Sequence, residues 1–431
     1  MKPLSCRDRL EQALARIADP KGEGARACLT VYADAARAAA DAADARAANG
    51  ITLGPLDGAI VSIKDLFDVA GEPTRAGSRI LAEEAKPAAA DAPVVRRLRA
   101  AGAVIVAKTN MTEFALGGIG ANPHFGTPGN PDDRSRVPGG SSAGAAVAAA
   151  DGMCDVAIGS DTGGSVRIPA GLCGIVGFKP SRQRVPTAGA LPLSTTLDSI
   201  GPLARSVADC ASADAVMAGE DFAPLDPMPL AGLRFGVAQG LPLEALDETV
   251  SAAFAAALKR LEAAGVRLSE ETVSLFDEMR GVNAYGGIVQ PEACAVHRDR
   301  LKRRAADIDP NVRVRLERGC AVAAADYYDM LQARGRLVQA MDQRLGSLDA
   351  LVMPTTPIVA PTIAEAIDPK NYPSRNAQVL RNTSIGNFFD LCGISLPLKA
   401  RLPVGLMLLA GNGHDRRLLR IAAAVEAALS A

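Results

Sequence analysis

Two serines stand out for what their neighbours allow. Ser141 ends the turn Pro138-Gly139-Gly140-Ser141, and Ser165 ends Asp161-Thr162-Gly163-Gly164-Ser165. A serine hydroxyl is a weak nucleophile until a base takes its proton. Glycines beside it let backbone and substrate approach closely. Successive N–H groups in a loop of small residues, ahead of a helix start at Pro169, make an anion-binding nest. Such a nest can hold the oxyanion of a tetrahedral intermediate, so the two turns point to acyl transfer. The competing reading is a nucleotide phosphate loop, but the Gly-Lys-Ser/Thr ending it needs is missing.

A base must come from elsewhere. The chain has three histidines, His124, His297 and His414. Gly140-Ser141-Ser142-Ala143-Gly144 fits the G-x-S-x-G elbow, and His414 beside Asp415 lies downstream, so a Ser-His-Asp site is one reading. That elbow should follow a strand, and Arg136-Val137-Pro138-Gly139 is a poor one. Lys64 is the better candidate. It ends the β-like run Gly58-Ala59-Ile60-Val61-Ser62-Ile63-Lys64, where a lone lysine interrupts apolar residues. Burial would lower its proton affinity and expose a neutral amine near pH 7; the alternative is a strand end whose ammonium snorkels to water. Lys108, closing the apolar run 103–107, has the same pattern, and spacing does not separate the two.

At these residues the chain resembles the amidase signature family. Gly58-Ala59-Ile60-Val61-Ser62-Ile63-Lys64-Asp65 resembles that family's lysine motif, and Gly139-Gly140-Ser141-Ser142-Ala143-Gly144 its first serine motif. Asp161-Thr162-Gly163-Gly164-Ser165-Val166-Arg167-Ile168-Pro169-Ala170 resembles its nucleophile motif. The three stand in the family's order, and the match is strongest over residues 54–209. The resemblance implies that Ser165 is acylated, that Ser141 relays a proton between Ser165 and Lys64, and that Lys64 is the ultimate base. It also implies a cis Gly140–Ser141 peptide and an oxyanion hole built from the N–H groups of Thr162, Gly163, Gly164 and Ser165. The loop starting at Gly117 would help line the substrate pocket. Ser142, Asp161 and Arg167 have two readings each. Ser142 caps the next helix or bonds inside the site. Asp161 organises the loop rather than acting as an acid. Arg167 either meets a substrate carboxylate or, as we favour, pins the turn.

The elements that must position these groups alternate between helix and strand, which signals an α/β fold. Residues 7–17 and 32–48 read as Ala-rich helices, residues 91–101 as a helix feeding the strand 103–107, and 110–114 as the start of another helix. Ser141 or Ser142 is expected to cap the helix 143–150. Strands are expected at 156–159, 233–238, 265–268, 349–354, 394–397 and 404–410, and helices at 247–264 and 414–429. The resemblance implies one large α/β/α domain over residues 1–431, with a central, mostly parallel mixed twisted sheet covered by helices. Residues 1–50 then form an N-terminal helical cover. A helical insertion at about 299–345, containing Tyr327, stands near the substrate pocket.

Composition removes other classes. A net charge of −1 with 3% aromatic residues argues against a nucleic-acid surface. Eight scattered cysteines without a C-x-x-C pair or Cys/His cluster predict buried, reduced thiols, a cytoplasmic setting and no metal. No export signal and no spanning run is visible. No cofactor signature appears. The expected partner is a small-molecule amide, and the resemblance admits a homodimer. The leading function is therefore an amidase that hydrolyses a small carboxamide through an acyl-serine. The alternatives are an amidotransferase component that supplies ammonia for misacylated tRNA, and a non-catalytic binding protein. The segments 283–297 and 382–390 look more like free-standing amidases.

Overall fold

The computed structural model describes residues 4–221, 223–284 and 286–430; Tyr285, in the segment 283–297 noted above, lies outside them. Eleven strands form one sheet. In chain order they are β1 (Cys28–Val31), β2 (Ile60–Lys64), β3 (Val104–Thr109), β4 (Val156–Asp161), β5 (Val176–Lys179), β6 (Ser199–Ala204), β7 (Arg234–Ala238), β8 (Arg267–Glu271), β9 (Ala350–Pro354), β10 (Cys392–Leu398) and β11 (Val404–Ala410). They lie in the order β1-β3-β2-β4-β6-β5-β10-β11-β9-β7-β8. The expected mixed sheet under helices is what forms. Its parallel ladders gather in two blocks, β3-β2-β4 and β8-β7-β9, and the ladders between and beside them are antiparallel.

Both faces are covered, so β2 to β6, β9 and β11 are buried along their whole length. That is why β2, β3, β4, β9 and β11 read as near-continuous apolar runs rather than alternating ones. The edge strand β8, Arg-Leu-Ser-Glu-Glu, carries charge and is largely exposed, which discourages pairing with another chain.

Helices Cys6–Ala18, Ala33–Ala48 and Ala143–Ala150 cover one face with Ile60, Val104, Val106 and Ala157 beneath them. The other face packs Val61, Ile63, Ile105 and Ile158 against Pro93–Ala100, Val207–Ala218, Glu248–Ala263 and Asp415–Ser430. The stretch around the expected insertion holds helices Val289–Arg304, Pro310–Cys320 and Ala324–Leu345.

Three local expectations fail. Residues 110–114 do not start an α-helix. A single 3₁₀ turn, Glu113–Ala115, forms with Phe114 at φ 53°. The Asn110 side chain takes the Met111 N–H and donates to Arg26 and Gly126 carbonyls, and such side-chain bonds compete with helix. Neither Ser141 nor Ser142 caps the helix Ala143–Ala150: Ser142 holds the cap position without a side-chain bond to it. Finally, not every cysteine is reduced. Cys294 and Cys320 are bonded across two neighbouring helices, with Cα atoms 5.3 Å apart; the other six are free and buried. Several elements went unread, among them the strands β1, β5 and β6 and the helices Arg79–Glu84, Val207–Ala218 and Leu275–Val282. Among the described residues no helix is long and apolar enough to cross a membrane.

Candidate active site

β2 and β4 run parallel, so their carboxyl ends open at one edge of the sheet, where α/β folds place their ligand crevices. Lys64 is the last residue of β2 and is fully buried. Its Nζ lies 2.8 Å from Ser141 Oγ and 2.9 Å from Ser160 Oγ. Burial lowers the Lys64 ammonium to about 7, against the opposing pull of the Asp198 and Asp161 carboxylates. Near neutral pH the amine is therefore free of its extra proton part of the time. It can then accept a proton from the Ser141 hydroxyl.

Parity separates the two lysines. Lys108 pairs with Ile63 in the β2–β3 ladder. Neighbours across a ladder share a face and consecutive residues alternate, so Lys108 stands on the Ile63 side and Lys64 on the opposite one. Lys108 is buried there beside Asp65, 3.7 Å away.

The first turn is pressed into place by backbone. Gly139 has φ +79°, and the Gly140–Ser141 peptide is cis. Gly140 N–H donates to Gly118 O at 2.8 Å, and a Cβ on Gly140 would lie 2.7 Å from Gly120 Cα. Thr112 N–H donates to Ser141 O at 3.1 Å. Gly117 is equally confined: a Cβ there would meet Tyr372 Oη at 2.6 Å. Ser142 N–H donates to Ser165 O at 3.3 Å, which ties the two turns together, and Ser142 Oγ lies 3.4 Å from Ser160 O.

The second turn leaves β4 after Asp161. Among the described residues the N–H groups of Thr162, Gly163, Gly164 and Ser165 donate to no protein acceptor, so the turn presents consecutive free donors beside the Ser165 hydroxyl. Gly164 has φ +133°, and a Cβ there would sit 2.1 Å from Thr383 Oγ1. That threonine in turn donates to Gly163 O at 2.7 Å.

Beneath the turn lies a buried ion pair. Arg167 Nε and Nη2 reach the two oxygens of Asp161 at 3.0 and 2.9 Å, and Nη2 also donates to Asn387 Oδ1 at 2.7 Å. The remaining nitrogen, Nη1, faces Met407 Sδ. Burial pushes the Asp161 carboxyl up, but the charge and hydrogen bonds of Arg167 outweigh it and hold the group at about 2. Arg167 is wholly enclosed and its donors are spent inside the protein.

The histidines stay apart from both serines. His414 is exposed at the start of the last helix, and its neighbour Asp415 accepts the Ser181 N–H. His297 is buried against Phe114, with ring centroids 3.9 Å apart, and burial lowers it to about 3. His124 bonds Glu113 at 3.2 Å. Four residues at the site were not singled out from sequence: Ser160, Asp198, Thr383 and Asn387. Ser160 was legible in principle, as a hydroxyl at the end of a buried strand. The other three arrive through pairings of distant segments.

Known proteins share this arrangement of segments. The family model described as Amidase matches residues 8–419. A 2-amino-5-chloromuconic acid deaminase from Comamonas testosteroni is 37% identical over 401 residues, spanning 91% of this chain and 86% of that protein. The A component of a glutamyl-tRNA(Gln) amidotransferase from Anaeromyxobacter sp. (strain K) is 38% identical over 470 residues, spanning 99% of this chain and 93% of that protein. A crystal structure of an amidase superposes with a TM-score of 0.89 at 36% identity, covering 99% of this chain and 96% of that one.

Proposed function

The chain belongs to the amidase family, whose members hydrolyse C–N amide bonds, and from that premise we propose that it cleaves a small-molecule carboxamide to acid and ammonia through an acyl-Ser165 intermediate. Neutral Lys64 draws the proton of Ser141, and Ser141 draws that of Ser165. The freed Ser165 oxygen attacks the carbonyl carbon, and the N–H groups of Thr162, Gly163 and Gly164 receive the oxyanion. Lys64 then returns its proton through Ser141 to the amide nitrogen, and ammonia leaves. Water attacks the ester, giving its proton to the same relay, and Ser165 is restored. No step calls for a metal or cofactor.

The observation that carries this reading is the 2.8 Å contact between Ser141 and a fully buried lysine amine. The test is ammonia release by the purified chain from a panel of carboxamides, with Lys64→Ala and Ser165→Ala alongside. Both variants should keep the fold and lose turnover. An active Ser165→Ala would reject the nucleophile, and an active Lys64→Ala the base. The family resemblance also supports a homodimer, which gel filtration checks.

A second reading draws on the similarity to an amidotransferase component over 99% of the chain. Under it the protein would release ammonia from glutamine only in the company of partner proteins. Hydrolysis of simple amides by the chain alone favours the first reading.

A further inference from the structure

Asp198 belongs to no step above, yet both of its carboxylate oxygens are committed at the edge of the site. Oδ1 accepts the Thr162 hydroxyl at 2.5 Å, and Oδ2 accepts the N–H groups of Leu193 and Ser194 at 3.0 and 3.1 Å. Thr162 is the first residue of the run of free N–H donors. Pairing of Asp161 with Ser199 across β4 and β6 brings Asp198 to it. On its other side Asp198 borders a cavity of about 90 Å³ that Ser160 also lines, and Ser160 holds the Lys64 amine. One carboxylate thus touches the donor loop directly and shares a small cavity with the serine that holds the Lys64 amine.

We propose that Asp198 is a positioning residue that couples the Thr162 end of the donor loop to the protonation of Lys64. The inference rests on the assignment of Lys64 as the base. Its charge favours the ammonium, while its grip on Thr162 fixes the loop that meets the oxyanion. Loss of the proton from Lys64 and tightening of the loop are then read by the same group. The surrounding charges are few. Glu292, from the helix Val289–Arg304, bonds Ser194, Thr196 and Tyr327 on the far side of the turn. Asp161 is neutralised by Arg167. Burial raises the Asp198 carboxyl to about 6, with Glu292 adding to the rise and the Thr162, Ser194 and Leu193 bonds opposing it. It is therefore mostly ionised at pH 7 and above.

The test compares pH profiles of kcat/KM for wild type, Asp198→Asn, Thr162→Val and Thr162→Ser on one carboxamide, with Lys64→Ala as the control. Asp198→Asn removes a negative charge near the ammonium. The half-rise should move toward acid by about half to one pH unit, and kcat should fall about tenfold with KM changed little. Thr162→Val should lower kcat and leave the half-rise in place, and Thr162→Ser, which keeps the hydroxyl, should restore kcat. An unmoved half-rise in Asp198→Asn overturns the proposal. If that variant does not fold, failure of Thr162→Ser to recover what Thr162→Val loses overturns it. An active Lys64→Ala would instead sink the assignment of the base, so the two failures are told apart.

Discussion

Replacing Lys64 by methionine should kill the enzyme and stabilise it. The wild-type amine falls from 10.5 in an unfolded chain to about 7 in the folded one. That difference corresponds to about 5 kcal/mol against folding below about pH 7, where the folded and the unfolded chain both hold the proton. Lys64 is fully buried, so no solvent screening reduces it. Methionine fills a similar volume without a charge, but leaves Ser141 and Ser160 short of a partner, a loss of about 1–3 kcal/mol. Near pH 7 the variant should be more stable by about 2–4 kcal/mol.

The sign is worked from the two protonation states. Between about pH 7 and 10.5 the unfolded wild type holds a proton that the folded one has shed. Raising the pH through that window stabilises wild type by about 1.4 kcal/mol per unit. The advantage of Lys64→Met should therefore shrink steadily from pH 7 to pH 10 and be constant below pH 7. Urea unfolding of both proteins at pH 6, 7, 8 and 9 measures it. A gap that stays constant between pH 7 and 9 would mean the amine keeps its proton in the fold, and the argument for a neutral base would fall with it.

Other outcomes follow from the same geometry. In wild type, kcat/KM should rise with pH to a plateau with its half-point near 7, because the proposed mechanism runs on the neutral form of Lys64; stopped-time ammonia assays across pH 5–9 trace it. Gly164→Ala places a Cβ 2.1 Å from Thr383 Oγ1 at a left-handed φ, and should lower kcat by about 10²-fold or more while Ser165 stays present. Arg167→Met leaves Asp161 buried and unpaired, and should destabilise by about 3–5 kcal/mol in denaturant titration. Dialysis against a chelator should leave the rate unchanged in the ammonia assay.

Much of the scaffold was legible because buried strands announce themselves. β2, β4 and β11 are short apolar runs bounded by turn residues, and the three motif segments sit at the sheet edge where those runs end. β6 was not legible. Its Ser-Ile-Gly-Pro-Leu-Ala reads as a broken loop, since proline rarely enters an inner strand; here Pro202 faces Ile158 in the middle of the sheet. The choice between Lys64 and Lys108 was likewise closed to spacing, because it turns on the pairing of Lys108 with Ile63. Asp198 and Asn387 were invisible for a related reason. A lone acid after a Ser/Thr-rich loop and an asparagine in a short helix acquire meaning only when β6 and the helix Thr383–Phe388 close over the second turn.

The enclosed plug of Asp161, Arg167 and Asn387 spans 226 residues of sequence between its ends. A chain still emerging from the ribosome already carries its lysine and both serines by residue 165, yet lacks Thr383 and Asn387, the distant anchors of the donor turn. Under the proposed mechanism, competence then waits until that segment has docked. A product truncated before residue 387 would be an inert scaffold rather than an unruly hydrolase.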